Sequence, residues 1–164
     1  MDSHSSDMLS LRPYIIRAFY QWICDSEMTP FLVINTDVDM VEAPKHLSMQ
    51  GHLTLDISPD AVDDLEIQRT KVTFIAYFDS GSEKISIPMR AIVAIFASEN
   101  EEGIAFAHNS DDERLLYEEE QEALALELAQ RSKNAHQSKS QHHTPRRKVS
   151  TSHLKIVTKQ PEDN

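Results

Sequence analysis

Between Pro13 and Asp25 the apolar positions recur at helical spacing. Tyr14, Ile15, Ala18, Phe19, Trp22 and Ile23 form one wide face, and Arg12, Arg17, Gln21 and Asp25 fall on the other. The pattern predicts a helix over residues 13–26, started by Pro13, whose missing N–H costs nothing in a first turn. Thr29-Pro30 ends it, because a residue before proline is pushed out of the helical region. A face this aromatic so near the terminus either packs on its own domain or serves a partner or a second copy.

After Pro30 the period shortens to two. Phe31-Leu32-Val33-Ile34-Asn35 is an apolar run bounded by proline and acids, and predicts a buried strand. In Gly51–Ile57, Leu53, Leu55 and Ile57 alternate to one side, and Ser58-Pro59-Asp60 supplies turn chemistry. Lys71 to Phe78, rich in β-branched and aromatic residues, predicts the strongest strand. Asp79-Ser80-Gly81-Ser82 is a hairpin-sized turn, and Lys84 to Pro88 returns antiparallel. Ala91 to Phe96 fits a helical turn or a strand equally, and Gly103 to Phe106 predicts a last strand. One helix followed by about six short strands excludes a βαβ pattern. It predicts a mainly β fold with an N-terminal α-helix, built as a small antiparallel barrel or a pair of sheets.

Beyond this region the pattern fades. All 11 aromatic residues lie at or before Tyr117, which places the core in roughly residues 8–108 of the 164. Residues 1–98 carry 14 acids and 7 bases, residues 99–130 carry 11 acids and one base, and residues 131–159 carry 8 bases and no acid. The acidic stretch 113–131 has helix propensity, with Leu115, Leu116, Leu124 and Leu128 partly on one face; a frayed helix and a helix with no core to join both stay open. Residues 132–153 are so poor in apolar side chains that they are predicted to be disordered. Leu154-Lys155-Ile156-Val157 then stands as a small apolar island, the pattern of a short recognition motif. The expected organisation is a flexible start (1–11), a folded domain (12–108), an acidic segment (109–131), a basic linker (132–153), the motif (154–159) and an extension (160–164).

Candidate chemistry narrows the function further. Cys24 cannot form an intramolecular disulfide and has no histidine at a spacing that suggests nucleophilic catalysis. The three glycines are too scattered for a phosphate loop. Asp63-Asp64 and Asp111-Asp112 read as solvated turns, and His136, His142, His143 and His153 lack partners at metal-ligand spacing. No cofactor, metal site or catalytic residue is therefore expected, nor an enzyme. No apolar run is long enough to span a membrane and the start has no secretory character, so a cytoplasmic protein without a membrane partner is expected. An acidic body argues against nucleic acid, and Pro145-Arg146-Arg147-Lys148 is too short for a specific reader. What remains is peptide or protein binding, by strand addition at an exposed sheet edge.

The run Arg12-Pro13-Tyr14-Ile15-Ile16-Arg17-Ala18-Phe19-Tyr20-Gln21-Trp22 resembles the N-terminal signature of the SspB (stringent starvation protein B) family. Thr29-Pro30, Leu32-Val33, Gly51–Ile57, Ile87-Pro88-Met89 and Ala94–Asn100 fit it in order. The resemblance covers residues 12–106 and implies an Sm-like or SH3-like antiparallel barrel that forms a homodimer. Its implied role is an adaptor for the AAA+ protease ClpXP: a groove binds ssrA-tagged polypeptides, and a tail docks on the zinc-binding domain of ClpX. Carried over, Tyr14, Ile15, Ala18, Phe19 and Trp22 contribute to the dimer. His52, Leu53, Leu55, Phe74, Ile75, Ala76, Tyr77, Phe78 and Phe96 lie in or beside the groove, and Leu154, Lys155, Ile156 and Val157 dock on ClpX. In two places the chain departs from the family pattern. Phe74-Ile75-Ala76-Tyr77-Phe78 stands where the family commonly reads Phe-Asn-Ala-Arg-Phe, and Gln160–Asn164 extends past the usual end of the tail. Because Sm-like barrels often associate with RNA, an RNA-associated or transcription-linked regulator is the alternative.

Overall fold

The computed structural model describes residues 8–107 and 110–139. The chain divides into compact units at 1–128 and 129–164. The first holds helix α1 (Arg12–Asp25) and strands β1 (Pro30–Asn35), β2 (His52–Asp56), β3 (Val62–Ile67), β4 (Lys71–Phe78), β5 (Gly81–Pro88), β6 (Ile92–Ala97) and β7 (Gly103–Ala105). It also holds most of helix α2 (Ser110–Lys139), whose last turns are the described part of the second unit. The motif Leu154–Val157 lies outside the described residues.

The strands form two antiparallel sheets, ordered β2-β1-β6-β7 and β3-β4-β5. The fold is therefore mainly β with an N-terminal helix, as the alternation predicts. The barrel is not closed, since β2 and β3 follow each other in the chain yet each ends its own sheet. The two inner faces meet in one core that includes Leu32, Ile34, Phe74, Ile85, Ile87 and Ile95, each essentially inaccessible to water. Each such side chain contributes about 1.5–3 kcal/mol by leaving water.

Local chemistry sets the registers. Gln50 and Gly51 both have positive φ, 52° and 77°, and Met49 pairs with His52 across them. That is the geometry of a tight two-residue hairpin turn, and it fixes the start of β2. At Gly103 a Cβ would lie 2.1 Å from the Ile95 carbonyl oxygen, so only glycine lets β7 lie this close against β6. The ambiguous stretch near Ala91 resolves into both readings: a 3-10 turn at Met89–Ala91 followed by β6.

Three expectations change. Asp63-Asp64 lies not in a loop but on β3, a strand the sequence hid because its outer positions are acidic. Between Asp63 and Glu66 the register with β4 gains a residue, and Asp64 takes a φ of 52° at that bulge. In α1 the buried positions are Arg12, Pro13, Ile16 and Ile23, so the inward stripe is rotated from the predicted face. Arg12, expected on the polar side, is buried because its guanidinium finds partners there. Its Nη1 donates to the Ile92 carbonyl at 3.2 Å and its Nη2 to Asp112 Oδ2 at 2.6 Å. Finally, the acidic segment is a helix that does reach a core: Leu116 is 2% exposed. It runs to Lys139, into the stretch predicted to be disordered, because extending a nucleated helix costs far less than starting one.

Candidate functional site

Strand alternation divides β4 cleanly. Val72, Phe74 and Ala76 point into the core, while Lys71, Thr73, Ile75 and Tyr77 form the opposite row. Tyr77 is 61% exposed, and its hydroxyl donates to Asp63 Oδ2 across the pair. That hydrogen bond, and then the charge of the carboxylate, raise the phenol above its ordinary pKa of 10.0. Ile75 lies between Asp63 on β3 and Lys84 on β5, its register partners. The open face thus offers an aromatic ring, an aliphatic side chain, an acid and a cation.

The residues carried over for the groove do not all meet. Leu53 and Leu55 lie inward on β2 and, with Phe74 and Ala76, belong to the core. Ile75 and Tyr77 are on the open face, and Phe78 packs half-buried against the core. His52 instead lines a separate cleft, and Phe96 lies on the outer face of the other sheet, its ring 6.0 Å from Phe31. β2 and β3 each end a sheet, and the free edge of either leaves backbone positions to which an extended chain could add. Sequence reasoning missed β3 and with it Asp63, which a bulge signal at the acidic pair could have indicated.

Helix α2 covers part of this body. Its first turns and the sheet flank a cleft of about 640 Å³ lined by Arg12, Arg90, Arg114, His52, Phe106 and Tyr117, among others. Arg12 lies over the Phe106 ring at 4.8 Å and Arg90 over Tyr117 at 5.5 Å. Behind them, Arg12 pairs with Asp112 and Arg90 with Glu120, both on α2. Ser10 completes the contact, donating its N–H to Glu119 Oε1 at 3.1 Å.

On α1, rotation of the inward stripe leaves Tyr14, Ala18 and Trp22 outward, continuing from exposed Leu11 just before the helix, with Tyr14 and Trp22 close to half exposed. Ile15 is half-buried, and Phe19 packs toward the core while meeting Trp22 edge-on at 5.6 Å. Burial raises the Cys24 thiol, which leaves it protonated and a poor nucleophile at neutral pH. Burial, then the neighbouring Cys24, pushes Tyr20 up to about 12. Among the described residues no group of three His, Cys, Asp or Glu side chains could hold a metal ion. No described helix is long and apolar enough to cross a membrane.

Comparison with known proteins places these features in a family. The family model described as stringent starvation protein B matches residues 10–158. A stringent starvation protein B homolog from Haemophilus influenzae is 31% identical over 148 residues, which is 89% of this chain and 94% of that protein. The match begins just before α1 and runs past Leu154–Val157, stopping short of Gln160–Asn164.

Proposed function

The chain belongs to the stringent starvation protein B family, and from that premise we propose that it is an adaptor that captures ssrA-tagged polypeptides and delivers them to ClpXP. The observation that carries the reading is the extent of the family match: one continuous relationship spans both the folded body and the apolar motif in the tail. In this account the open face around Ile75 and Tyr77, with the free edges of β2 and β3, holds the tag. Main-chain hydrogen bonds at an edge give grip, and the outward side chains select. Leu154, Lys155, Ile156 and Val157 dock on the zinc-binding domain of ClpX.

No bond is made or broken by such a protein, and it acts in the cytoplasm. Binding the tag on the body and the unfoldase through the tail turns a bimolecular encounter into a local one. The effective tag concentration at the unfoldase rises without any new contact to it. Pairing through the outward face of α1 (Tyr14, Ile15, Ala18, Phe19 and Trp22) gives two tails per particle and adds avidity. Leu154→Ala combined with Val157→Ala should leave ssrA-peptide affinity unchanged and reduce ClpXP degradation of a tagged substrate to the rate without adaptor. Undiminished degradation with that variant would contradict the tethering role.

A further inference from the structure

The acidic body of this chain carries its cations unevenly. Four of the seven bases in residues 1–98, namely Arg12, Lys71, Lys84 and Arg90, lie beneath or beside α2. Arg12 and Arg90 line the larger cleft. Lys71 and Lys84 line a second groove of about 290 Å³ with Thr73, Ser86 and, on α2, Glu120 and Glu127. The only acid that the body itself contributes to these two linings is Glu42. α2 supplies the opposite charge all along this strip, through Asp112 to Arg12, Glu120 to Arg90 and Glu127 to Lys71.

Beyond its first turns helix α2 is nevertheless held loosely. Leu116 is its one fully buried apolar side chain among the described residues, whereas Tyr117, Leu126 and Leu128 are at least half exposed. Two grooves remain between helix and body, where a well-packed interface would leave none. Buried Arg12 Nε and Glu119 Oε2 have no hydrogen-bond partner among the described residues, and the Lys71–Glu127 pair is 3.7 Å apart and exposed. The Arg12–Asp112 and Arg90–Glu120 pairs, at 2.6 and 2.7 Å, are mostly shielded from water and anchor the start of the helix, so the part of the contact that exchanges is the stretch beyond Glu120, held by the exposed Lys71–Glu127 pair.

We propose that this basic strip is a binding surface for acidic peptide segments, with α2 as its resident and displaceable occupant. The strip is continuous with the open face, because Lys71 and Thr73 belong to the same outward row of β4 as Ile75 and Tyr77. A peptide lying along β4 from Tyr77 meets the glutamates of α2 at Thr73 and must displace them to reach Lys71 and Lys84. The inference rests on the tag-binding reading only for the half of the row that α2 leaves open. An acidic segment is thereby favoured twice, by the lysines it gains and by the helix it releases.

The test uses the full chain, its Glu120→Gln/Glu127→Gln variant and its Lys71→Gln/Lys84→Gln variant. Two labelled probes are titrated by fluorescence anisotropy: an ssrA-type peptide, and a peptide with the sequence of residues 110–128. Weakening the resident helix should tighten both probes about five- to tenfold, and neutralising the lysines should weaken both by a similar factor. Amide exchange of residues 112–128 should accelerate when either probe saturates the wild-type chain. If the ssrA-type peptide binds the wild type and the glutamate variant equally, the proposal is overturned while the tag-binding reading stands. If the ssrA-type peptide binds no variant, that reading falls and the 110–128 peptide decides. Tightening on the glutamate variant with loss on the lysine variant then upholds the strip, and an unchanged affinity overturns it.

Discussion

Glu99 shows how much one side chain can fix. Its carboxylate accepts from the Thr29 N–H at 2.9 and 3.0 Å and from the Thr29 hydroxyl at 2.6 Å, tying the entrance of β1 to the end of β6. These hydrogen bonds hold its pKa below the ordinary 4.5. A carboxyl whose folded pKa is depressed adds stability that is full above its unfolded pKa and is lost as pH falls from there through the folded value. Thermal melts of Glu99→Gln should therefore lie below wild type at pH 7, and the gap should narrow and then close as the pH falls from the ordinary 4.5 through the depressed value. A gap independent of pH would mean that the amide loses something other than charge. At this same scale the candidate site was half legible. Alternation in β4 puts Ile75 and Tyr77 outward once the strand is recognised. No local pattern shows that Leu53, Leu55, Phe74 and Ala76 face a core from both sheets at once, because burial is decided by the opposing layer.

The elements differ in how much of their own evidence they carry. Strands β1, β2, β4 and β5 were readable because apolar alternation and turn residues agree in each. β3 was not: Val62 and Leu65 are its only apolar contributions before Ile67, and a bulge at Asp64 breaks the period. The phase of α1 was misread because Arg12 is buried against Asp112 and Ile92, partners 100 and 80 residues away that no local window contains. Helix α2 owes its docking to Leu116 and to those ion pairs rather than to an amphipathic face. Leu116→Ala should cost about 2–4 kcal/mol of docking, seen as faster amide exchange in 112–128 with little change in exchange of β1, β4 and β6. Equal acceleration in the strands would show that α2 is integral to the two-sheet body instead of laid upon it.

At the scale of the whole molecule, the proposed adaptor divides its work between a peptide-holding body, a self-pairing helix face and a tail that engages the unfoldase. The outward stripe Leu11, Tyr14, Ala18 and Trp22 is apolar, aromatic and solvent-facing, the composition that interface cores favour. Tyr14→Glu with Trp22→Glu should convert the proposed dimer to a monomer in sedimentation or light scattering. The fold should survive, because both side chains are about half exposed. The substitution should lower delivery of tagged substrate by more than it lowers tag affinity, since only delivery uses two tails. A variant that stays dimeric would move the self-pairing surface elsewhere. Capture of the tag by the proposed peptide-binding face is read by titrating a labelled ssrA-type peptide with the full chain and with its Tyr77→Asp variant. Saturable binding at micromolar concentration or tighter is expected, weakened at least about tenfold when an acid replaces Tyr77 beside Asp63. A folded chain that gave no saturable binding, or whose affinity ignored Tyr77, would contradict it.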